Sequence, residues 1–440
     1  MQISFPYPQI DALDVPDPNL LGTFFPSTLK IQRSEEEIIA EGFSHPIGSE
    51  PLSKILQGLE KVLIVVDDHT RNTPVQKIFP RLISELEGAA IKPSRIKILV
   101  ALGTHRPMTE KEIVNKFGES LAKRYPILNH SWGDPSELTY FGETEKGTPI
   151  FVNRLVKEVD LIIGMGQIVP HRVSGFSGGG NIIQPGICGE ETTGKTHWLS
   201  AQFKGREILG KIENPVKEEI ERVAKKVGLK WIINTIQDGS GRLIEVVVGD
   251  PFQAYRTGAK RSLEIYQSKL PQEADIIIAD SHPYDSDLWV AAKGIYAAEL
   301  AVKQGGVVIL VTLCSEGVCP SHPEVLEWGY QTFEEVDQKV RRGLFKKLTV
   351  AAHLVHVGRV IKERAKGILV CPGISKGETE RLGFLHAQKP QEALEMAFSI
   401  MGRDAKVAVL QRGGEILPII QTPNIPSLGG RGLKKDEETR

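Results

Sequence analysis

KVLIVVDDHTRNTPVQKIFPRLISELEG, residues 61–88, is the stretch on which the reading of the fold turns. A short β-branched run, Val62 to Val66, stops at the acidic pair Asp67-Asp68, and a helix-like segment follows from Val75. The same texture recurs in RIKILVALG (95–103), a polar helix start at Thr109, and DLIIGMG (160–166). Short apolar strands alternating with helices are the mark of βαβ units, which predicts a mostly parallel sheet covered on both faces. Further on, LKWIINTIQDGSGRLIEVVVGD, from Leu229 to Asp250, reads as two strands joined by a Gly-Ser-Gly turn, an antiparallel hairpin.

After a helix-like stretch to Leu270, PQEADIIIADSHP restarts the βαβ pattern, which continues through GGVVILVTLC (305–314) and GILVCPG (367–373). The expected fold class is therefore α/β: two α/β domains with mostly parallel sheets and the site in the cleft between them. The first is expected over 1–270, with the strand-like 405–420 returning to it, and the second over 274–404. Residues 421–440, polar and rich in Gly and Lys, read as a tail.

Composition narrows the class. Lys and Arg number 54 against 55 Asp and Glu, a net charge of −1, so nothing selects nucleic acid or an anionic membrane as partner. No basic segment leads into an apolar one at the start, and the longest apolar runs fall well short of the ~18 residues a membrane helix needs. The four cysteines contain no C-x2-C pair, so neither a disulfide framework nor a zinc knuckle is indicated, and a reducing cytoplasm fits best. Glycine is in excess, 43 in 440 residues, and clusters in short groups rather than in a repeat.

In open α/β sheets ligands lie beyond the carboxyl ends of the strands. Four such ends carry titratable groups: Asp67-Asp68-His69-Thr70-Arg71, Gly103-Thr104-His105-Arg106, Pro170-His171-Arg172 and Asp280-Ser281-His282. An imidazole exchanges protons near neutrality and also binds transition metals, which singles out His105, His171 and His197. Arg71 and Lys293 are candidates for holding an anion, Arg by its planar fork and Lys as a point charge. GFSGGGNIIQPG (175–186) would let main-chain N–H groups approach a phosphate, or is simply a glycine-rich turn. GEETTGKT, Gly189 to Thr196, matches the P-loop pattern and motivates an NTPase alternative. Its context argues against that reading, since QPGIC rather than a strand precedes it and Glu190 and Glu191 would face phosphates.

Together, VDDHTRNTP (66–74), ALGTHRPMTEKE (101–112), GQIVPHRVSGFSGGGNIIQPG (166–186), His197 and HPYDSDLWVAAKG (282–294) resemble the nickel-dependent lactate racemases and their 2-hydroxyacid racemase and epimerase relatives. The resemblance implies two α/β domains closing on a nickel-pincer nucleotide made by separate cofactor-maturation enzymes, and a small 2-hydroxyacid as substrate. It implies His197 as nickel ligand and His105 and His171 as paired acid/bases. Asp68, Thr70, Ser177, Gly178, Gly179, Gly180 and Asn181 fall at cofactor-facing positions, and Arg71, Lys293 and Trp289 at substrate-facing ones. The implied reaction passes the hydroxyl proton to one histidine and a hydride from Cα to the cofactor; return of hydride to the other face of the 2-oxoacid inverts the centre.

Two departures stand out. The lysine that tethers the cofactor covalently in that family is Asn181 here, and an amide cannot form the thioamide link, so a non-covalently held cofactor is expected. A non-catalytic binding member of the same fold is the alternative this raises. Because Asn181 reads as a loop position, a lysine there is expected to leave the fold intact. The family's tyrosine-glutamine pair is Trp289-Val290, where an indole could cover or stack on a ligand, so a substrate larger than lactate is expected.

Overall fold

The computed structural model describes residues 1–421. The first sheet has six strands in the spatial order Leu243–Gly249, Leu229–Gln237, Leu161–Gln167, Val62–Asp67, Ile96–Ala101 and Ile127–Asn129. All neighbours run parallel except the terminal pair, which is the hairpin expected around Gly239 to Gly241. Alternate residues of Val62–Asp67 enter separate cores: Val62, Ile64 and Val66 pack on one face, Leu63 and Val65 on the other. A strand buried on both faces needs an unbroken apolar run rather than alternation, which is what its sequence supplies.

The second sheet is entirely parallel, in the order Leu385–His386, Ala365–Val370, Val302–Val311, Ala274–Asp280, Val407–Leu410 and Leu20–Phe24. Here the structure corrects the expected domain limits. Val407–Leu410 does not return to the first domain but lies beside Ala274–Asp280, and the N-terminal Leu20–Phe24 adds the last strand beyond it. Leu417–Ile420 pairs with Gln267–Leu270, and both segments contribute to the second domain's core. The segment 422–440, read as a tail, lies outside the described residues.

Strand order reverses beside Val62–Asp67 in the first sheet and beside Ala274–Asp280 in the second. Each reversal opens a crevice at the carboxyl ends of the strands. The two domains are joined by the Glu190–Ala201 helix of the first and the Leu348–Gly358 helix of the second, which pack closely at Gly194. A Cβ on Gly194 would stand 3.0 Å from the Leu348 Cβ. Gly194→Val should therefore wedge the helices apart at about 1–3 kcal/mol; an unchanged melting temperature would refute this contact as a constraint.

Candidate active site

The strand ends meet in a cleft of about 1160 Å³, part of it open to solvent. From the first domain come Asp68 and Arg71 after one strand, His105 after the next and His171 after the third, with His197 one turn beyond Gly194. The second domain supplies Trp289 and Lys293 after Ala274–Asp280. His105 and His171 are each secured from behind. Nδ1 of His105 lies 2.7 Å from Asp68 Oδ2, whose other oxygen accepts from the Thr70 amide and hydroxyl at 3.1 and 2.6 Å. Burial would raise the Asp68 carboxyl, but His105, His69 and Arg71 outweigh it and hold the group well below the usual carboxylate range. The carboxylate is thus ionised and fixes Nδ1–H on His105, leaving Nε2 as the nitrogen able to take a proton. His171 Nδ1 stands 3.0 Å from Ser174 Oγ. Burial drops His171 well below the ordinary imidazole value, with Arg71 and Lys293 pushing the same way.

Lys293 Nζ is buried without a hydrogen-bond partner among the described residues and sits 3.1 Å from the centre of the Tyr284 ring. Arg71 lies over the same ring at 5.4 Å. Burial pulls Lys293 well below its usual value and Arg71 lowers it further. Two cations sharing one aromatic ring, one of them unneutralised, make a place that an anion would relieve.

His197 Nδ1 donates to the Thr193 carbonyl at 2.9 Å, so Nε2 carries the free lone pair. Burial lowers its pKa to about 4 against the pull of Thr193, with His105 adding to the fall, and the neutral ring is a competent metal ligand. Among the described residues no three His, Cys, Asp or Glu side chains converge as a metal site. A metal bound at His197 Nε2 would therefore have to bring most of its ligands with it. Around it Gly178 and Asn181 line the cleft, while the Ser177 hydroxyl is committed to the Gln167 carbonyl and the Val169 amide at 2.8 and 3.0 Å.

Several expectations are not met. Gly179 and Gly180 do not line the cleft: the Gly179 N–H is taken by Asn234 Oδ1 at 2.8 Å, and a Cβ on Gly180 would lie 3.1 Å from Ala224 Cβ. These glycines serve close packing within the first domain rather than a phosphate. Thr70 borders a smaller adjoining pocket and acts through Asp68. Gly189 to Thr196 is no P-loop, since Glu190–Ala201 is regular helix capped at Gly189, with Lys195 exposed and Glu190 accepting from Thr349 of the other domain. Trp289 cannot stack on a ligand with either face, because His322 and His353 already sandwich the indole at 4.2 and 4.1 Å. Nor is Asn181 in an unencumbered loop: its Oδ1 accepts from the buried Lys217 ammonium at 2.6 Å.

The cleft also holds residues outside the quoted motifs, among them Asn234, Tyr296, His353 and His356. His353 and His356 stand three apart on one helix, a spacing visible in AAHLVHVG as two imidazoles on one face. His356 Nε2 meets Ser200 Oγ at 2.9 Å, joining the His197 helix to the second domain.

Two α/β domains facing each other across a cleft that holds several imidazoles and a buried, unpartnered lysine beside an arginine define a cleft enzyme for a small molecule. The chain belongs to the lactate racemase family, and with it to the isomerases: the family's N-terminal domain profile matches residues 9–207 and its C-terminal domain profile residues 270–417. It is 30% identical to the lactate racemase of Lactiplantibacillus plantarum over 86% of this chain and 90% of that protein. It is 28% identical to the lactate racemase of Thermoanaerobacterium thermosaccharolyticum over 92% of this chain and 96% of that one. The solved apoprotein of the latter superposes with a TM-score of 0.84, covering 96% of this chain and all of that chain. A Thermotoga maritima protein of 23% identity shares the fold, with a TM-score of 0.72 over 90% of this chain.

Proposed function

We propose that this protein is a racemase or epimerase of a 2-hydroxyacid larger than lactate, working with a nickel-pincer nucleotide held without a covalent tether. The observation that carries the reading is the unpartnered Lys293 beside Arg71, over one tyrosine ring, in a cleft that also presents His105 and His171. A carboxylate fixed by that pair would leave only the Cα substituents free to exchange places. His105 accepts the hydroxyl proton of one enantiomer and His171 that of the other, each returning it as the hydroxyl re-forms. The cofactor, when bound, supplies the acceptor and donor for the Cα hydride. His197 Nε2 would ligate its nickel, and Asn181 offers no amine for a thioamide. The reading includes a need for cofactor-maturation enzymes and a cytoplasmic setting, which suits four free, buried cysteines. No helix among the described residues is long and apolar enough to cross a membrane.

The test is metal analysis with native and denaturing mass spectrometry on protein made alongside cofactor-synthesis enzymes. Nickel and the nucleotide should be retained natively, with the mass of the bare chain on denaturation; a covalent adduct at 175–186 would overturn the untethered form. Chiral chromatography after incubation with single enantiomers should then show interconversion. A loaded protein that leaves every 2-hydroxyacid optically unchanged would reduce it to a binding member of the fold.

Substrate size is tested separately. Because its faces are occupied, Trp289 meets the cleft by its edge, and Val290 beside it removes a polar group from the wall. We expect a larger 2-hydroxyacid, aromatic, branched or sugar-derived, to turn over better than lactate, with Trp289→Tyr altering that preference. Lactate as best substrate, with Trp289→Tyr without effect, would refute it.

A further inference from the structure

A continuous hydrogen-bonded chain runs from Lys217 to His171. Lys217 lies on the Pro215–Val227 helix, buried, with its ammonium 3.5 Å from the centre of the Tyr255 ring. Its three N–H groups meet three oxygens: the Phe176 carbonyl at 3.2 Å, the Gly178 carbonyl at 3.0 Å and Asn181 Oδ1 at 2.6 Å. Burial draws the Lys217 pKa down to about 7, but three oxygens around Nζ favour its ammonium form, which only donates, and so turn the Asn181 oxygen toward Lys217 and its NH2 away. That NH2 donates to Ser174 Oγ at 3.0 Å. Ser174 gives its own hydrogen to the Phe176 carbonyl at 2.8 Å and so meets His171 Nδ1, 3.0 Å away, as an acceptor. The Ser174 amide also points at the same nitrogen from 3.4 Å, a longer and weaker contact than the hydroxyl's 3.0 Å, so the hydroxyl governs the tautomer while it is present.

We propose that Asn181 is a positioning residue for His171: held by Lys217 and acting through Ser174, it fixes the His171 imidazole as the Nδ1–H tautomer and leaves Nε2 as the basic nitrogen. The position that carries the tether in the resembling family thereby serves the acid/base instead. His105 reaches the same tautomer by a different route, through the Asp68 carboxylate. With Nδ1 of each ring engaged from behind, the nitrogen left to act as base is Nε2 in both. Unlike Asp68, a chain that ends in an ammonium gives His171 no counter-charge and favours its neutral form. The catalytic meaning of this chain rests on the racemase reading, but its existence does not, and the test separates the two.

The experiment uses the full-length chain without cofactor, labelled with nitrogen-15 in its imidazoles, and reads which His171 nitrogen carries the proton. In the unaltered protein the proton is expected on Nδ1. Ser174→Ala leaves only an amide donor facing Nδ1 and should move the proton to Nε2. Asn181→Leu frees the Ser174 hydroxyl and should give signals averaged between tautomers, with Ser174→Ala as the second variant should that chain fold poorly. In the cofactor-loaded enzyme both variants should lower kcat by about ten- to a hundredfold with KM essentially unchanged, the size of loss expected from a misoriented base. Nitrogen signals unaltered in both variants, or altered signals with undiminished kcat, would overturn the proposal. The expected tautomer shifts in a loaded protein that turns over no 2-hydroxyacid would overturn the racemase reading and leave the chain of hydrogen bonds standing.

Discussion

His105→Ala and His171→Ala should each lower turnover by about 10²–10⁴-fold while the protein keeps its nickel, whereas His197→Ala should lose the metal itself. The three imidazoles share one cleft but are held differently, and the difference sets the outcome. Asp68 and Ser174 stand behind His105 and His171 on their Nδ1 sides, so removing either ring takes away a proton acceptor and leaves the remaining architecture in place. His197 is anchored to Thr193 within its own helix, and removing its Nε2 takes away the one lone pair assigned to the metal. Nickel content by elemental analysis beside initial rates in both directions reads the two kinds of failure. Equal nickel loss in all three variants would show that this division of roles is wrong.

Asn181→Lys should destabilise the fold by about 1–3 kcal/mol, the cost of depriving the buried Lys217 nitrogen of the side-chain oxygen it now meets. The new ammonium would replace an oxygen that now stands 2.6 Å from Lys217 Nζ and would set two cations together behind Ser174. Thermal melts of the cofactor-free protein measure the loss, and Lys217→Met in the same chain should recover most of it by removing the second charge. A melting temperature unaltered by Asn181→Lys would mean that the Lys217 ammonium has somewhere else to go.

Much of the architecture is legible in the chain itself. Val62 to Val66 and Val307 to Val311 are apolar runs that only a strand covered on both faces can bury, and their alternation with helices dictates parallel sheets. Because such sheets bind ligands at the carboxyl ends of their strands, the residues following each run could be picked out before any contact was known, and Asp68, Arg71, His105 and His171 do meet in the cleft. The order of these motifs along the chain also carries the family resemblance.

Which element covers which was settled by the tertiary structure. A run such as Val407–Leu410 declares that it is a buried strand, but its neighbours, Ala274–Asp280 and Leu20–Phe24, are distant in sequence, and nothing in its own pattern names them. The same gap separates motif from role. GEETTGKT has the letters of a phosphate loop, yet Gly194 is there to let two helices touch, and Gly179 and Gly180 exist for close packing inside the first domain. Trp289 looked free to stack until His322 and His353, brought from other segments, occupied both its faces. Lys217 on its helix is an unremarkable lysine in sequence. Its burial beneath Asn181 comes from how that helix docks, because local periodicity reports which face of an element is apolar and says nothing of the polar atoms that will meet it.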